Sequence, residues 1–257
     1  MTRRTRPSKR FTTDPELLRS LIGLHAVGDR ILDATYGHGG FWKGLPYQPV
    51  AIDIRDQLPG LDHGGSWRHL ARLFPPSSFD VITFDPFHIS DAGVGSLLGR
   101  RYAAAEDPVK GEDVSHLFRP FLEQARAVIQ PETGVVIAKI ADQVHSQRQR
   151  LQHVDFINTA RELGWTVCEC IPKGRLTVMP HNTTKTYQHL RKDCAYWILL
   201  RAGPSCVGPG VPKGYLRICQ VADCPRRGKP FIAQRKDARI CSDRCRQRRH
   251  RQERTDA

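Results

Sequence analysis

Four short apolar runs, three of them closed by an aspartate, dictate most of what this chain can fold into. They read "RILDAT" (30–35), "PVAIDIRD" (49–56), "FDVITFDPFHIS" (79–90) and "VVIAKIA" (135–141). Each run is apolar at consecutive positions, so both faces of the strand it predicts must be covered. Helical stretches alternate with them. In "FTTDPELLRSLIGLHAVGD", Thr13 or Asp14 can cap a helix that has Pro15 at its first position and Leu17, Leu18, Leu21 and Ile22 on one face. Residues 114–130 put Leu117, Phe121, Ala125 and Val128 at helical spacing, and Pro131 to Gly134 stop that helix. A third helix is predicted over about 147–163, ending at Gly164, before two more strands, "WTVCECIP" and "CAYWILLRA". The pattern predicts an α/β fold with a mostly parallel sheet covered on both faces, whose ligands sit beyond the carboxyl ends of the strands.

The end of the first run is the stretch "DATYGHGG". Gly37 and Gly39 permit positive φ and close backbone approach, and Asp33 at the strand end can accept hydrogen bonds. Such a turn can be an ordinary tight turn. Twenty residues on, however, Asp53 closes the second run, where a carboxylate can hold the two hydroxyls of a ribose. The third run ends in Asp85-Pro86, followed by Phe87 and His88.

With these motifs in order, residues 8–202 resemble the S-adenosylmethionine-dependent methyltransferases, and in particular the DNA amino-methyltransferases that modify the exocyclic amine of adenine or cytosine. The resemblance implies a Rossmann-like methyltransferase fold. It assigns the cofactor's methionine part to the turn from Asp33 to Gly39, including Thr35 and Gly37, and the cofactor's ribose to Asp53. "FTTDP", with Phe11 and Thr12, is similar to a further cofactor-contacting stretch of the family. The family's catalytic Asp-Pro-Pro-Tyr is matched by Asp85 and Pro86, whereas Phe87 stands for the second proline and His88 for the aromatic residue. The amine lone pair is delocalised into the base. On this likeness the Asp85 carboxylate and the Pro86 carbonyl would accept its two N–H bonds and localise that pair, while Phe87 or His88 would hold a base flipped from its stack. RNA as substrate, and a non-catalytic nucleic-acid binder on the same scaffold, are the alternatives the sequence leaves open.

Charge points to the same class of partner. Of the formal net charge of +14, residues 1–10 carry +5 and residues 216–257 carry +8, so the body is nearly neutral. Cationic ends on a neutral body suit a polyanion, most simply nucleic acid, which the resemblance makes double-stranded DNA first, although basic tails also keep a protein soluble. The segment 173–193 is long, basic and punctuated by His and Tyr, as a backbone-contacting loop would be, with Arg175, Lys185, Arg191 and Lys192 as candidates taken together. Lys139, late in the fourth run, faces either the site or solvent. No apolar run approaches the roughly 20 residues that span a bilayer, and the expectation is a soluble, cytoplasmic protein without a membrane partner.

Four of eight cysteines crowd the last forty residues: Cys219, Cys224, Cys241 and Cys245. Cys241 and Cys245 stand four apart at the start of a predicted helix, so both thiolates face one side, and a closed set of four sulfurs suits structural zinc. Residues 217–250 resemble small treble-clef zinc fingers. Arg244, Arg248 and Arg251 share a helical face that can meet phosphates. The expected organisation is a basic arm (1–10), a methyltransferase-like body (11–202), a Gly/Pro-rich linker (203–215) and a basic zinc-finger module (216–257). Oligomeric state, target sequence and the choice between adenine and cytosine are not written in these patterns.

Overall fold

In a computed structural model of the chain, the described residues are 11–86, 114–145, 148–174, 194–206, 215–218, 230–233, 242, 245 and 247. The first helix, α1 (Asp14–His25), is capped by Thr13, whose hydroxyl accepts from the Glu16 N–H, and Pro15 occupies its first turn. The parallel strands are β1 (Ile31–Asp33), β2 (Val50–Asp53), a two-residue β3 (His63–Gly64), β4 (Val81–Phe84) and β5 (Val135–Ala141). A one-turn helix α2 (Leu70–Leu73) precedes β4, and a 3₁₀ turn over Val114–Leu117 leads into α3 (Phe118–Val128). After β5 come a small hairpin of β6 (Gln143–His145) and β7 (Arg148–Arg150), then α4 (Gln152–Glu162), β8 (Thr166–Gly174) and β9 (Cys194–Arg201).

These strands form one seven-stranded sheet in the order β3-β2-β1-β4-β5-β9-β8. All run parallel except β9, which is antiparallel to both of its neighbours. The architecture is a mostly parallel Rossmann-like α/β sheet, as the run pattern predicts. Its strand order reverses between β1 and β4, the point at whose carboxyl edge the ligand crevice of such sheets lies. Residues 215–218 and 230–233 pair separately as an antiparallel hairpin, β10 and β11. Among the described residues no helix is long and apolar enough to cross a membrane.

Strand alternation sends side chains to two cores. On one face, Leu17, Leu18, Leu21 and Ile22 of α1 bury against Ile31, Val81, Ile137 and Trp197. On the other, α3 and α4 bury Phe118, Phe121 and Phe156 against Leu32, Ile82, Phe84 and Val136. Phe84 and Phe121 stack at 3.6 Å with only 7° between their planes. The same alternation puts Asp33, the last residue of β1, on the α1 face, two positions beyond buried Ile31. Arg201, 1 % exposed, fastens chain ends at the opposite, amino edge. Its guanidinium donates to the carbonyls of Thr133 (2.6 Å), His25 (2.8 Å) and Cys206 (3.3 Å).

Two expectations change. The third helix begins at Gln152 rather than near 147, because the β6–β7 hairpin takes the chain up to Arg150 and Asp142 accepts from the His153 N–H at 3.3 Å, satisfying a first-turn donor. Its end is as predicted, with Gly164 at φ 76° directly after the cap. The helix expected over 114–130 starts as a 3₁₀ turn and becomes α-helical at Phe118. Residues 203–206 are docked on the body, since the Thr166 hydroxyl donates to the Gly203 carbonyl at 2.7 Å.

Candidate functional site

Asp33, Asp53 and Asp85 stand at or just beyond the carboxyl ends of β1, β2 and β4; β1 and β4 flank the reversal of strand order, and β2 adjoins β1. The turn after β1 is built from Asp33 outward. Its Oδ1 accepts from the Thr35 N–H at 3.0 Å and its Oδ2 from the Trp42 indole N–H at 2.5 Å. With 2 % of its surface exposed, burial pushes the Asp33 carboxyl up to about 6, while the Trp42 and Thr35 donors oppose the rise. Gly37 (φ 59°) and Gly39 (φ 68°) take the left-handed conformation, and a Cβ on Gly39 would lie 2.7 Å from the Tyr36 hydroxyl. The Tyr36 N–H donates to the Ile52 carbonyl at 3.0 Å, which docks the turn against β2. A cavity of about 460 Å³ opens beside it, lined among others by Tyr36, His38, Trp42, Lys43 and Tyr47.

Thr35 joins this turn to the next motif. Its hydroxyl accepts from the Asp85 N–H at 2.8 Å, so the residue after β4 is held by the residue after β1. Pro86 is buried beside it.

Asp53 is 6 % exposed and its carboxylate is fully engaged. Oδ1 accepts from the Arg55 N–H (3.0 Å) and Nε (2.9 Å); Oδ2 accepts from the Gly37 N–H (2.8 Å) and the Arg55 Nη2 (3.1 Å). A carboxylate offers about four acceptor positions, and these bonds fill them. Burial pushes the Asp53 carboxyl up, but the Arg55 and Gly37 donors together bring it below the ordinary value.

At the start of α1, Phe11 packs on the α1-face core. Thr12 is exposed, and both its N–H (3.1 Å) and its hydroxyl (3.2 Å) donate to Glu16. Thr12 therefore serves the helix start. Asp14 pairs with two lysines from distant strands, Lys139 Nζ at 2.8 Å and Lys173 Nζ at 3.1 Å, and Lys139 also lies 3.7 Å from Asp85 Oδ2. Lys139 thus faces the crevice. Burial pushes the Asp14 carboxyl up, and the two lysines outweigh it and hold the group below its usual value.

The structure brings together Asp33, Thr35, Gly37, Asp53 and Asp85 around one turn. Sequence reasoning missed Trp42, Arg55, Asp14 and Lys173. A signal existed for two of them: Arg55 stands two residues after the strand-end acid, and Trp42 closes "GGFW". Phe87, His88, Arg175, Lys185, Arg191, Lys192, Cys219, Cys224, Cys241, Arg244, Arg248 and Arg251 lie outside the described residues. Cys245 is described and buried. Among the described residues no group of three or more His, Cys, Asp or Glu could hold a metal ion.

Several solved structures are similar to part of this chain. One similar structure is a Thermus thermophilus protein, provisionally described as a DNA modification methylase and solved with S-adenosyl-L-methionine (16% identity, 55% of this chain and 54% of that one, TM-score 0.35). Another is a SAM-dependent methyltransferase from Archaeoglobus fulgidus (13% identity, 73% and 94%, TM-score 0.42). A third is TrmN from Thermus thermophilus (18% identity, 73% and 48%, TM-score 0.45). The chain spans about half the length of the first and third of these proteins. No family model matches the chain, and no curated protein matches its sequence.

Proposed function

We propose that the chain is an S-adenosylmethionine-dependent methyltransferase acting on the exocyclic amine of adenine or cytosine in DNA. The observation that carries this reading is the three strand-end aspartates at the reversal point, with the glycine turn tied to Asp85 through Thr35. S-adenosylmethionine, when bound, supplies an electrophilic methyl group on a cationic sulfur. The residues present suit such a ligand: Asp33 offers a buried carboxylate to a cationic group, and Gly37 and Gly39 let the backbone approach closely. Asp85 and the Pro86 carbonyl accept the two N–H bonds of the target amine, localising its lone pair and aiming it. Phe87 or His88 holds the flipped base, and the proton of the methylated amine leaves to water.

The ribose of such a cofactor can reach Asp53 only by replacing one of the four bonds that carboxylate accepts, three of which come from Arg55. Arg55→Met is therefore expected to tighten binding of S-adenosylhomocysteine roughly tenfold, the worth of one hydrogen bond to a charged group. Calorimetric titration checks this, and unchanged or weaker affinity would remove Asp53 as the ribose acceptor.

Residues 216–257 are proposed to hold structural zinc on Cys219, Cys224, Cys241 and Cys245 and to add nucleic-acid affinity through Arg244, Arg248 and Arg251. The cysteine spacing and the burial of Cys245 support this reading. The purified full chain is expected to carry stoichiometric zinc by atomic emission, and stripping the metal is expected to weaken DNA binding most at raised salt. A chain that folds without zinc and binds DNA equally well would refute the module's role.

The activity itself is tested by incubating the protein with radiolabelled S-adenosylmethionine and, separately, duplex DNA, single-stranded DNA and total RNA, then identifying the labelled nucleoside. Label on a base amine in DNA is the expected result, and it names the base. Label only in RNA keeps the chemistry and changes the substrate, with Arg175, Lys185, Arg191 and Lys192 then serving an RNA backbone. No label, with the cofactor bound, overturns the reading.

A further inference from the structure

No motif groups Asp14, Lys139, Lys173 and Asp85, yet the fold brings them into one charged cluster on the α1 face. The register explains how. Phe84 of β4 lies opposite Ala138 of β5, so the next position along each strand sets Asp85 beside Lys139. β9 separates β5 from β8, and Asp14 at the start of α1 reaches a lysine from each of these two strands. All four side chains are partly buried, at 27 % exposed for Asp14, 22 % for Lys139, 14 % for Lys173 and 29 % for Asp85. Lys139 Nζ also sits 5.2 Å over the Phe41 ring, a cation–π contact that further fixes the stem.

The distances divide the labour. Lys139 makes its close bond, 2.8 Å, with Asp14, and stands 3.7 Å from Asp85. The longer contact is an ion pair and not a hydrogen bond, so this ammonium acts on the Asp85 carboxylate by charge. Lys173 fastens the other oxygen of Asp14 at 3.1 Å, which stops the anchor from swinging. A cation is needed there on electrostatic grounds as well. Asp33 and Asp85 are like charges in one crevice, and the Asp85 charge is among the causes that push the Asp33 carboxyl up.

We propose that Lys139 is a positioning residue: anchored by Asp14, its ammonium aims the Asp85 carboxylate at the substrate amine and couples the start of α1 to the end of β4. This rests on the methyl-transfer reading above. In the transfer the methyl–sulfur bond breaks as the nitrogen–carbon bond forms and a proton leaves to water. Lys139 gains and loses no proton or electron pair.

The test uses the full chain and whichever nucleic acid the wild type labels. Lys139→Met is expected to lower kcat about 10–100-fold, the loss that follows misplacement of a reacting group, with the cofactor Kd measured by calorimetry little changed. Lys139→Arg, whose guanidinium can also pair with two carboxylates, is expected to recover part of the loss, and Lys173→Met to cost less than Lys139→Met. Wild-type kcat in Lys139→Met overturns the proposal. So does a loss confined to cofactor affinity, or one that tracks a fall in melting temperature and that arginine does not rescue. A wild type that binds cofactor and labels no nucleic acid overturns the methyl-transfer reading itself and this role with it, which separates the two failures.

Discussion

Asp85→Ala is expected to cut methyl transfer to nucleic acid by about 10²–10³-fold or more, the cost of losing a preorganised polar group at the reacting centre, while the cofactor still binds. The expectation follows from where Asp85 stands. Its side chain is 29 % exposed and its backbone N–H, not its carboxylate, holds the Thr35 hydroxyl. Truncating the side chain therefore removes the amine acceptor and leaves in place the backbone bond to Thr35 and the hydrogen bonds of Asp33 and Asp53. Asp85→Asn keeps one acceptor oxygen and is expected to fall between the two. Single-turnover labelling, with calorimetry of S-adenosylhomocysteine on the same preparations, reads both quantities. Full activity in Asp85→Ala would remove the carboxylate from the mechanism, and lost cofactor binding would move Asp85 from the substrate to the cofactor.

The second large effect is thermodynamic. The Asp33 carboxyl is raised from 3.8 to about 6 in the folded protein, chiefly by burial. Between those values the folded state keeps a proton that the unfolded chain has released, so the contribution of Asp33 to stability falls as pH rises through that window and stays low above it. An interval of roughly two pH units corresponds to about 3 kcal/mol. Asp33→Asn lacks this titration. Its amide cannot accept from both Thr35 and Trp42, but that deficit is the same at every pH. Urea unfolding from pH 4 to pH 7 should thus show wild type losing about 3 kcal/mol relative to Asp33→Asn. Parallel curves would mean that the carboxyl titrates normally in its turn. The fold accepts this cost at the place where a cationic ligand would meet a buried anion.

Those two aspartates were legible in the sequence because an apolar run closed by an acid is a local pattern, and so was the parallel sheet that such runs imply. The α1 helix was equally plain, with Pro15 and the apolar face from Leu17 to Ile22, although only the structure chose Thr13 over Asp14 as the cap. What stayed hidden depends on contacts distant in sequence. Nothing near Lys139 announces Asp14, which lies 125 residues earlier and meets it only because α1 packs over β5. Thr12, marked by the family likeness, is bonded to Glu16, a competition between local capping and ligand contact that spacing does not decide. The start of α4 was misplaced because the β6–β7 hairpin carries no glycine or proline to mark its turn.

The Arg201 clasp has a consequence for reach. Because β9 runs against its neighbours, the chain leaves the body at the amino edge, with Cys206 held near the end of α1 and the strand-end aspartates at the far side of the sheet. Eight residues separate Cys206 from Tyr215, where β10 begins. Fully stretched, such a tether covers about 30 Å, and an eight-residue strand such as β9 is about 27 Å long. The leash, even fully stretched, is therefore only slightly longer than the flank it has to climb. If residues 216–257 hold nucleic acid as proposed, the number of residues between Cys206 and Tyr215 becomes the ruler that limits how far from the modified nucleotide that second grip can fall.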